Sequence, residues 1–561
     1  MAAERLGFRD AIGWLTEIVG PDSAYIRLGL IYTVGISLLS LATPISVQLL
    51  INSVAQTAMP APLWALSGVL LLLLLIVVAI SSLRVWIMAL FERRLFARVV
   101  AEVTVRAVHA QNPFFADSKR GDLFNRYFDL VVVQKAVPSL VIGAFTIVLQ
   151  AIVGLVITSF YHPFFLAFNL TLVGAIALIW LVFRRGAING AVALSHAKHN
   201  AAQWLQSVGG SNGFYKSSRH LDFVMDRSEA FTAGYIGAHK RYFRYQFAQT
   251  IAFFLVYAFA SAALLLLGGN LILQGQLSLG QLIAAELILS GVFYGISQLG
   301  WYLDTFYDLI ASSEEMSLLF AIPQEPPVGG TEGVRDGSLK LTDVHLEGAR
   351  FDLTLAAGEQ VVMVAAPLAE QRLARLLKRH KHPERGLVQI GGADLGALDM
   401  YRLRSDVLVM DRTTIVDVTV REYLQLARAG DGGELEALRV VGLERRIATL
   451  PQGLDTPLAA SGHPLSIGET MALKLANALL VRPRVLLLGQ IFDLLPPERL
   501  MAALAHLRAH GTTVLLSTLR PEDLPLDTWL YLGMDRQQRC DGLEELQELA
   551  RKMEGADAAA A

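Results

Sequence analysis

Apolar and polar positions divide the 561-residue chain into two unlike parts. Up to about residue 310, apolar residues gather in six blocks, near 27–52, 61–91, 138–158, 163–184, 248–270 and 281–302. Each is close to the ~20 residues that a helix needs to cross a bilayer. Runs such as 70–78 (LLLLLLIVV) have no polar face to give to water, so they do not read as core helices of a soluble domain. The fifth and sixth blocks are parted by Gly268-Gly269-Asn270 and a polar bend through Gly280. The sequence 309–323 reads as one more helix, and 324–331 (QEPPVGGT) as a Pro/Gly linker. From about 337 to 548 short apolar runs alternate with amphipathic helices, which predicts an α/β domain.

Charge orients this pattern. The connections 53–60, 159–162 and 271–280 hold no Lys or Arg. The two long connections hold many, among them Arg93, Arg94, Arg98, Arg106, Arg126 and Lys135, then Arg184, Arg185, Lys198, Arg219, Arg227, Lys240 and Arg244. The positive-inside bias therefore places the long connections, both termini and the α/β domain in the cytoplasm. Helical pattern also continues from Phe91 to about Val108, so the second span is expected to run on past the membrane, some 45 residues or ~65 Å in all. Phe8, Ile12, Trp14, Leu15 and Ile18 recur at helical spacing, which suits a helix lying on the membrane surface or a leader packed on a domain.

Composition removes other classes. The chain is 53% apolar with a net charge of −2, which gives no support to nucleic-acid binding. Cys540 is its one cysteine, so neither a disulfide framework nor a multi-Cys metal site is expected. The start, MAAERLGF, shows no removable signal peptide. His380 and His382 read as surface residues on a basic turn rather than metal ligands. Glu286 falls inside the sixth block; it is either a functional intramembrane acid or a solvated residue near the outer interface.

The order of motifs carries more. Residues 464–488 (PLSIGE, a helical run, RPR, VLLL) read as loop, helix and buried strand, and resemble the signature-to-Walker-B block of ATP-binding-cassette (ABC) proteins. Residues 112–129 (NPFFADSKRGDLFNRYFD) resemble the exporter-type FF…GxLxxRxxxD stretch, at the first coupling helix. Residues 206–216 (QSVGGSNGFYK) stand at the place of the second. TVRE at 419–422, LPQGLDT at 450–456 and GLEEL at 542–546 add to the resemblance, which runs from about residue 25 to 548. It implies an all-α six-helix exporter-type transmembrane domain joined to an α/β P-loop-NTPase-like cassette. The expected boundaries are an elbow at 1–24, the membrane domain at 25–322, a linker at 323–336, the cassette at 337–548 and a flexible tail at 549–561. Gly121, Asp122, Arg126, Asp129, Gly209, Gly210 and Phe214 would then sit in turns that press on the cassette; ordinary polar helix–helix turns are the alternative.

The chemistry of the cassette departs from the resemblance. A P-loop needs glycines whose N–H groups close on phosphate, a Lys, and a Ser or Thr for Mg²⁺. After the strand GEQVVMVA (358–365) this chain has APLAEQRL (366–373), with no glycine, Pro367 without an N–H, the acid Glu370, and Gln371-Arg372 in place of Lys-Ser/Thr. The Q-loop glutamine falls at Asp411, the Walker B carboxylates at Gly489 and Gln490, and the switch histidine at Leu519. The expectation is a degenerate ATPase site with no ATP-Mg²⁺ of its own. Ser466 and Gly468 stand where a signature meets the γ-phosphate of an opposite cassette. Ser466 and Glu469 are also spaced as a capping box, which needs no nucleotide. The resemblance further implies a bilayer, a second half-transporter (hetero- or homodimer), and ATP-driven export shared with a competent partner, a non-catalytic assembly role with a periplasmic adaptor, or, last in order, an ordinary active transport ATPase. The implied setting is a bacterial inner membrane.

Overall fold

Where the sequence offers only apolar residues and helix formers, the backbone runs helical without a break until a proline or a polar turn stops it. The computed structural model describes residues 8–57, 61–111, 123–325, 330–427 and 433–560. It divides into two compact units, Met1–Glu325 and Pro326–Ala561.

The first unit is helical: α1 (Phe8–Val19), α2 (Ser23–Leu39), α3 (Ala42–Thr57), α4 (Ala61–Val108), α5 (Asp129–Ser139), α6 (Phe145–Ser159), α7 (Pro163–Gly210), α8 (Ser218–Leu273) and α9 (Leu279–Phe320). Among the described residues, six helical stretches are long and apolar enough to cross a membrane. The first expected span is two helices rather than one, parted at Ser40 and Leu41. Pro44 explains the break: it has no N–H for the Ser40 carbonyl, and its ring crowds the preceding turn. Pro138 acts less sharply. There α5 passes into α6 through a π turn, Leu140–Ala144, which absorbs the missing bond without ending the span.

The amino-terminal helix is a packed leader. Ile18 and Val19 are buried in one core with Phe91 and Leu95 of α4. The Asp22 carboxylate, also buried, accepts from Arg94 Nε and Arg98 Nε, both at 2.9 Å. Helix α4 spans 48 residues, α7 48 and α8 56, so these rods reach roughly 70–85 Å, more than twice the hydrocarbon thickness. Close approach of α7 and α8 is set by glycines. A Cβ on Gly190 would lie 3.0 Å from the Tyr242 Cα, and one on Gly186 2.5 Å from the Tyr245 ring. Buried Ala187 and Ala191 continue the same face.

A charged knot ties the extensions together. Asp129 is 2% exposed and accepts from Lys198 Nζ (2.7 Å) and Ser312 Oγ (3.5 Å), and meets His199 Nε2 at 2.5 Å. Arg126 pairs with the fully buried Glu315, and His196 lies 3.4 Å from Glu314. These contacts join α5 to α7 and α9.

The second unit is α/β. Strands β1 (Leu339–Leu346), β2 (Ala349–Leu355), β4 (Arg385–Ile390) and β5 (Ala393–Asp394) form an antiparallel sheet in the order β2-β1-β4-β5. The other sheet has the order β10-β9-β3-β8-β7-β6, from β3 (Gln360–Ala365), β6 (Val407–Met410), β7 (Val485–Leu488), β8 (Thr513–Ser517), β9 (Trp529–Leu532) and β10 (Gln537–Cys540). Its five strands from β9 to β6 are parallel, and β7 is buried at every residue, as a sheet covered on both faces requires. The last helix runs from Leu543 to Ala560, where the sequence is rich in strong helix formers.

Asp129→Asn should lower the stability of the full chain, since it removes the buried carboxylate that Lys198 and His199 share; a loss of about 1 kcal/mol or more is expected. Thermal unfolding of the detergent-purified protein checks this, and an unchanged midpoint refutes it.

Candidate nucleotide site

Ligands of open parallel sheets gather outside the carboxyl ends of the strands. In this unit those ends present Ala366 after β3, Asp411 after β6, Gly489 after β7 and Thr518-Leu519 after β8. A single residue, Ala366, separates β3 from the next helix, α10 (Pro367–Leu377). It is extended (φ −60°, ψ 137°), gives α10 no side-chain cap, and its N–H donates to the Leu532 carbonyl at 2.9 Å. The turn is thus tight and closed on the sheet, with no loop to wrap an anion.

The first turn of α10 brings Glu370 into the crevice. Its Oε2 accepts from Ser517 Oγ at 2.6 Å, and the Gln490 N–H donates to the same carboxylate. A Cβ placed on Gly489 would come within 2.8 Å of Glu370 Oε1 and 3.3 Å of the Asp411 Cα. The missing side chain at 489 and the carboxylate at 370 are therefore complementary. Burial raises the Glu370 pKa, with Asp411 and Asp493 adding in the same direction against the two hydrogen bonds.

Each remaining acid has its own partner. Asp411 accepts from Lys378 Nζ at 2.7 Å. Asp493 Oδ2 accepts from the Leu519 N–H at 2.9 Å, and its carbonyl from Arg520 Nη2 at 2.5 Å. The Leu519 side chain is 68% exposed. Lys474, its pKa lowered by burial, donates to the carbonyls of Arg412 and Thr414. Gln371 is exposed, and Arg372 Nη1 lies 2.9 Å from Met534 Sδ. An incoming triphosphate would meet a carboxylate where its oxygens need donors, so the residues present do not fit Mg²⁺-triphosphate chemistry.

The signature-like turn is a capped helix start. Ser466 is the N-cap of the helix Ile467–Val481: its Oγ accepts the Glu469 N–H at 3.2 Å, and Glu469 Oε2 accepts the Ser466 N–H at 2.8 Å. Arg446 Nε holds the other Glu469 oxygen at 2.9 Å. Both the serine and Gly468 keep access to solvent.

In the membrane unit, Arg126 and Asp129 turn inward, into the knot already described. Gly121 and Asp122 lie outside the described residues. Gly209 and Gly210 end α7, and Phe214 stacks on His220 with ring centroids 4.4 Å apart. Asn125 Nδ2 donates to Gln206 Oε1 at 2.8 Å, so the two turns are neighbours. Glu286 is half-buried, and accepts from Ser290 Oγ at 2.9 Å. Ser517, Lys378 and Asp493 carry no motif of their own; only the strand order brings them to Glu370.

Six helical stretches long and apolar enough to cross a membrane, followed by this α/β unit, have the fold of an exporter-type ABC half-transporter. The ABC transporter transmembrane region family matches residues 26–206. The chain is similar to the cyclolysin secretion/processing ATP-binding protein CyaB of Bordetella pertussis, 35% identical over 26% of this chain and 21% of that protein. It also resembles the exotoxin translocation ATP-binding protein PaxB of Pasteurella aerogenes, 26% identical over 46% and 39%. These matches span well under half the length of either relative. An uncharacterized ABC transporter ATP-binding protein of Bacillus subtilis, YfiC, is 23% identical over 80% of this chain and 78% of its own. In fold, the structure of a bacterial Atm1-family ABC exporter with ATP bound superposes with a TM-score of 0.73, covering 96% of both chains at 20% identity.

Two outcomes test the crevice. The raised Glu370 pKa means that its contribution to stability is full below the unfolded carboxylate range, about pH 4.3, and falls as pH rises through the folded value. Glu370→Gln should therefore raise the melting midpoint at pH 7–8, with the gain shrinking toward pH 5; a gain independent of pH sinks the idea. Gly489→Asp should destabilise, and adding Glu370→Ala should recover part of the loss, with a coupling of at least ~1 kcal/mol in a double-mutant cycle.

Proposed function

We propose that this chain is a catalytically degenerate half of an ABC exporter, which moves its cargo across a bacterial inner membrane when paired with a half-transporter that hydrolyses ATP. The reading rests on one observation above all, the Glu370 carboxylate turned into the crevice over Gly489 and bonded to Ser517. That group stands where a phosphate would need N–H donors, and it follows a turn of a single residue. Gln490 and Leu519 supply no acid–base or metal-binding group in the places where the family keeps its own, and the Asp411 carboxylate is tied to Lys378. The partner would bring an intact P-loop, Walker B acid and switch histidine. This chain would offer Ser466 and Gly468 to the partner's nucleotide, since the serine hydroxyl proton is free to donate while its oxygen caps the helix.

Export as the direction of transport is supported by the relatives named for toxin secretion and translocation and by the exporter fold. The basic connections support a topology with both termini and the cassette in the cytoplasm. The two polar turns at Asn125–Gln206 and Phe214–His220 would carry motion to the cassettes.

A second reading is a non-catalytic assembly or regulatory subunit, self-paired and docking a periplasmic adaptor. The complete capping box at Ser466, with Arg446 behind Glu469, favours it, because that turn is satisfied without any nucleotide. The two readings part on the partner found in native membranes and on nucleotide response.

The full chain purified alone should show no Mg²⁺-dependent ATP hydrolysis above a mock preparation. Co-expressed with a half-transporter that carries GxxxxGK[ST], it should yield an ATPase that Ser466→Ala slows by about 10-fold or more, the effect of losing a preorganised donor. Chelator-sensitive hydrolysis by the chain alone would overturn both readings. A stable homodimer with no nucleotide-dependent change would select the second.

A further inference from the structure

Among the described residues of the membrane unit, one buried arginine or lysine has no counter-charge. Arg84 of α4 is 7% exposed. It follows the uncharged run 63–83, so it sits about 30 Å from the start of that apolar block, at the edge of the hydrocarbon on the side where the helices continue as polar extensions. Its Nη1 donates to Thr33 Oγ1 of α2 at 3.0 Å and to Thr146 Oγ1 of α6 at 2.8 Å. Both hydroxyls spend their own protons on carbonyls of their helices, Thr33 on Gly29 at 2.9 Å and Thr146 on Ile142. Each therefore turns an oxygen toward the guanidinium and fixes its plane.

That arrangement occupies one nitrogen and leaves the opposite edge without a partner. Nε is buried and has no partner, and Nη2 has no acceptor among the described residues. Nε–H and Nη2–H form the parallel pair that grips a carboxylate or phosphate through two hydrogen bonds. Ser37, one helical turn beyond Thr33 on the same face of α2, is fully buried, and its hydroxyl is also unpartnered. Among the described residues the other buried charges of this unit each face a basic side chain, Asp22 with Arg94 and Arg98, Asp129 with Lys198 and His199, Glu315 with Arg126, and Glu314 with His196 at 3.4 Å. A lone guanidinium removed from water is costly unless an anion reaches it.

We propose that Arg84, held by Thr33 and Thr146, is a binding site for one oxyanion, a phosphate or carboxylate group, within the membrane domain. The depth of the site suits the phosphate of a membrane lipid or other anionic amphiphile, and a free oxyanion entering from water shares the same chemistry. The site is independent of the cassette and of its competence.

The test uses the full chain. Its melting midpoint is measured in nanodiscs of phosphatidylcholine alone and of phosphatidylcholine with phosphatidylglycerol, and, in uncharged detergent, with inorganic phosphate against chloride at equal ionic strength. The expected result is a rise of a few °C in one arm for the wild type, absent in Arg84→Gln. A rise with phosphatidylglycerol identifies a lipid as the source, and a rise with phosphate identifies a soluble oxyanion. Thr33→Asp sets a carboxylate against the guanidinium from within. It should melt at least as high as the wild type in phosphatidylcholine and lose its response to either anion, and this reading stands even if Arg84→Gln fails to fold. No response of the wild type in either arm overturns the site. So does a response that survives in Thr33→Asp or Arg84→Gln, or a Thr33→Asp protein that melts below the wild type.

Discussion

A carboxylate half-removed from water needs donors, and the carboxyl edge of the large sheet is arranged around that need at Glu370. Ser517 at the end of β8 and the Gln490 N–H beyond β7 supply the bonds, and Gly489 supplies the room. The other two acids of the crevice are drawn aside, Asp411 by Lys378 and Asp493 by the Leu519 N–H. Three like charges can share so small a space only because each is separately satisfied. A side chain at 489 would meet this carboxylate, since even a Cβ there would come within 2.8 Å of Glu370 Oε1.

The membrane unit follows the same rule with opposite outcomes in two places. Where the helices leave the hydrocarbon, Asp22, Asp129 and Glu315 each hold basic partners from other helices, so charge fixes how α1, α4, α5, α7 and α9 assemble. Pairing of this kind is weak as a source of net stability, yet breaking it strands a charge, which makes it a strong constraint on geometry. At Arg84 the protein provides dipoles and stops short of a carboxylate.

Much of this was legible in the residues, for identifiable reasons. Long apolar runs admit one physical outcome, so the six crossings could be read directly, and the change to short alternating runs announced the α/β unit. The break at Ser40-Leu41 was written in Pro44 but is masked by the apolar residues on either side. In the crevice, positions 411, 489, 490 and 519 were found by register, and Glu370 stood out as an acid where phosphate was expected. Its partners were not legible. Ser517 and Gly489 are 28 residues apart in sequence, and 147 residues separate Ser517 from Glu370; they meet because β3, β8 and β7 are consecutive in the sheet. Arg126 and Asp129 were read as part of an outward-pressing turn, while their side chains serve the inside, a distinction that a motif without coordinates cannot make.

The glycines at 186 and 190 have a mechanical consequence. By letting α7 lie close against the Tyr242 backbone and the Tyr245 ring of α8, they leave little slack for one rod to slide or roll without the other. The two helices then behave as a single stiff beam of 56 residues' reach, roughly 84 Å long, for which a tilt of only about 5° swings the far end by some ~7 Å. Small rearrangements within the bilayer are thus converted to displacements outside it by leverage alone, with no bending required.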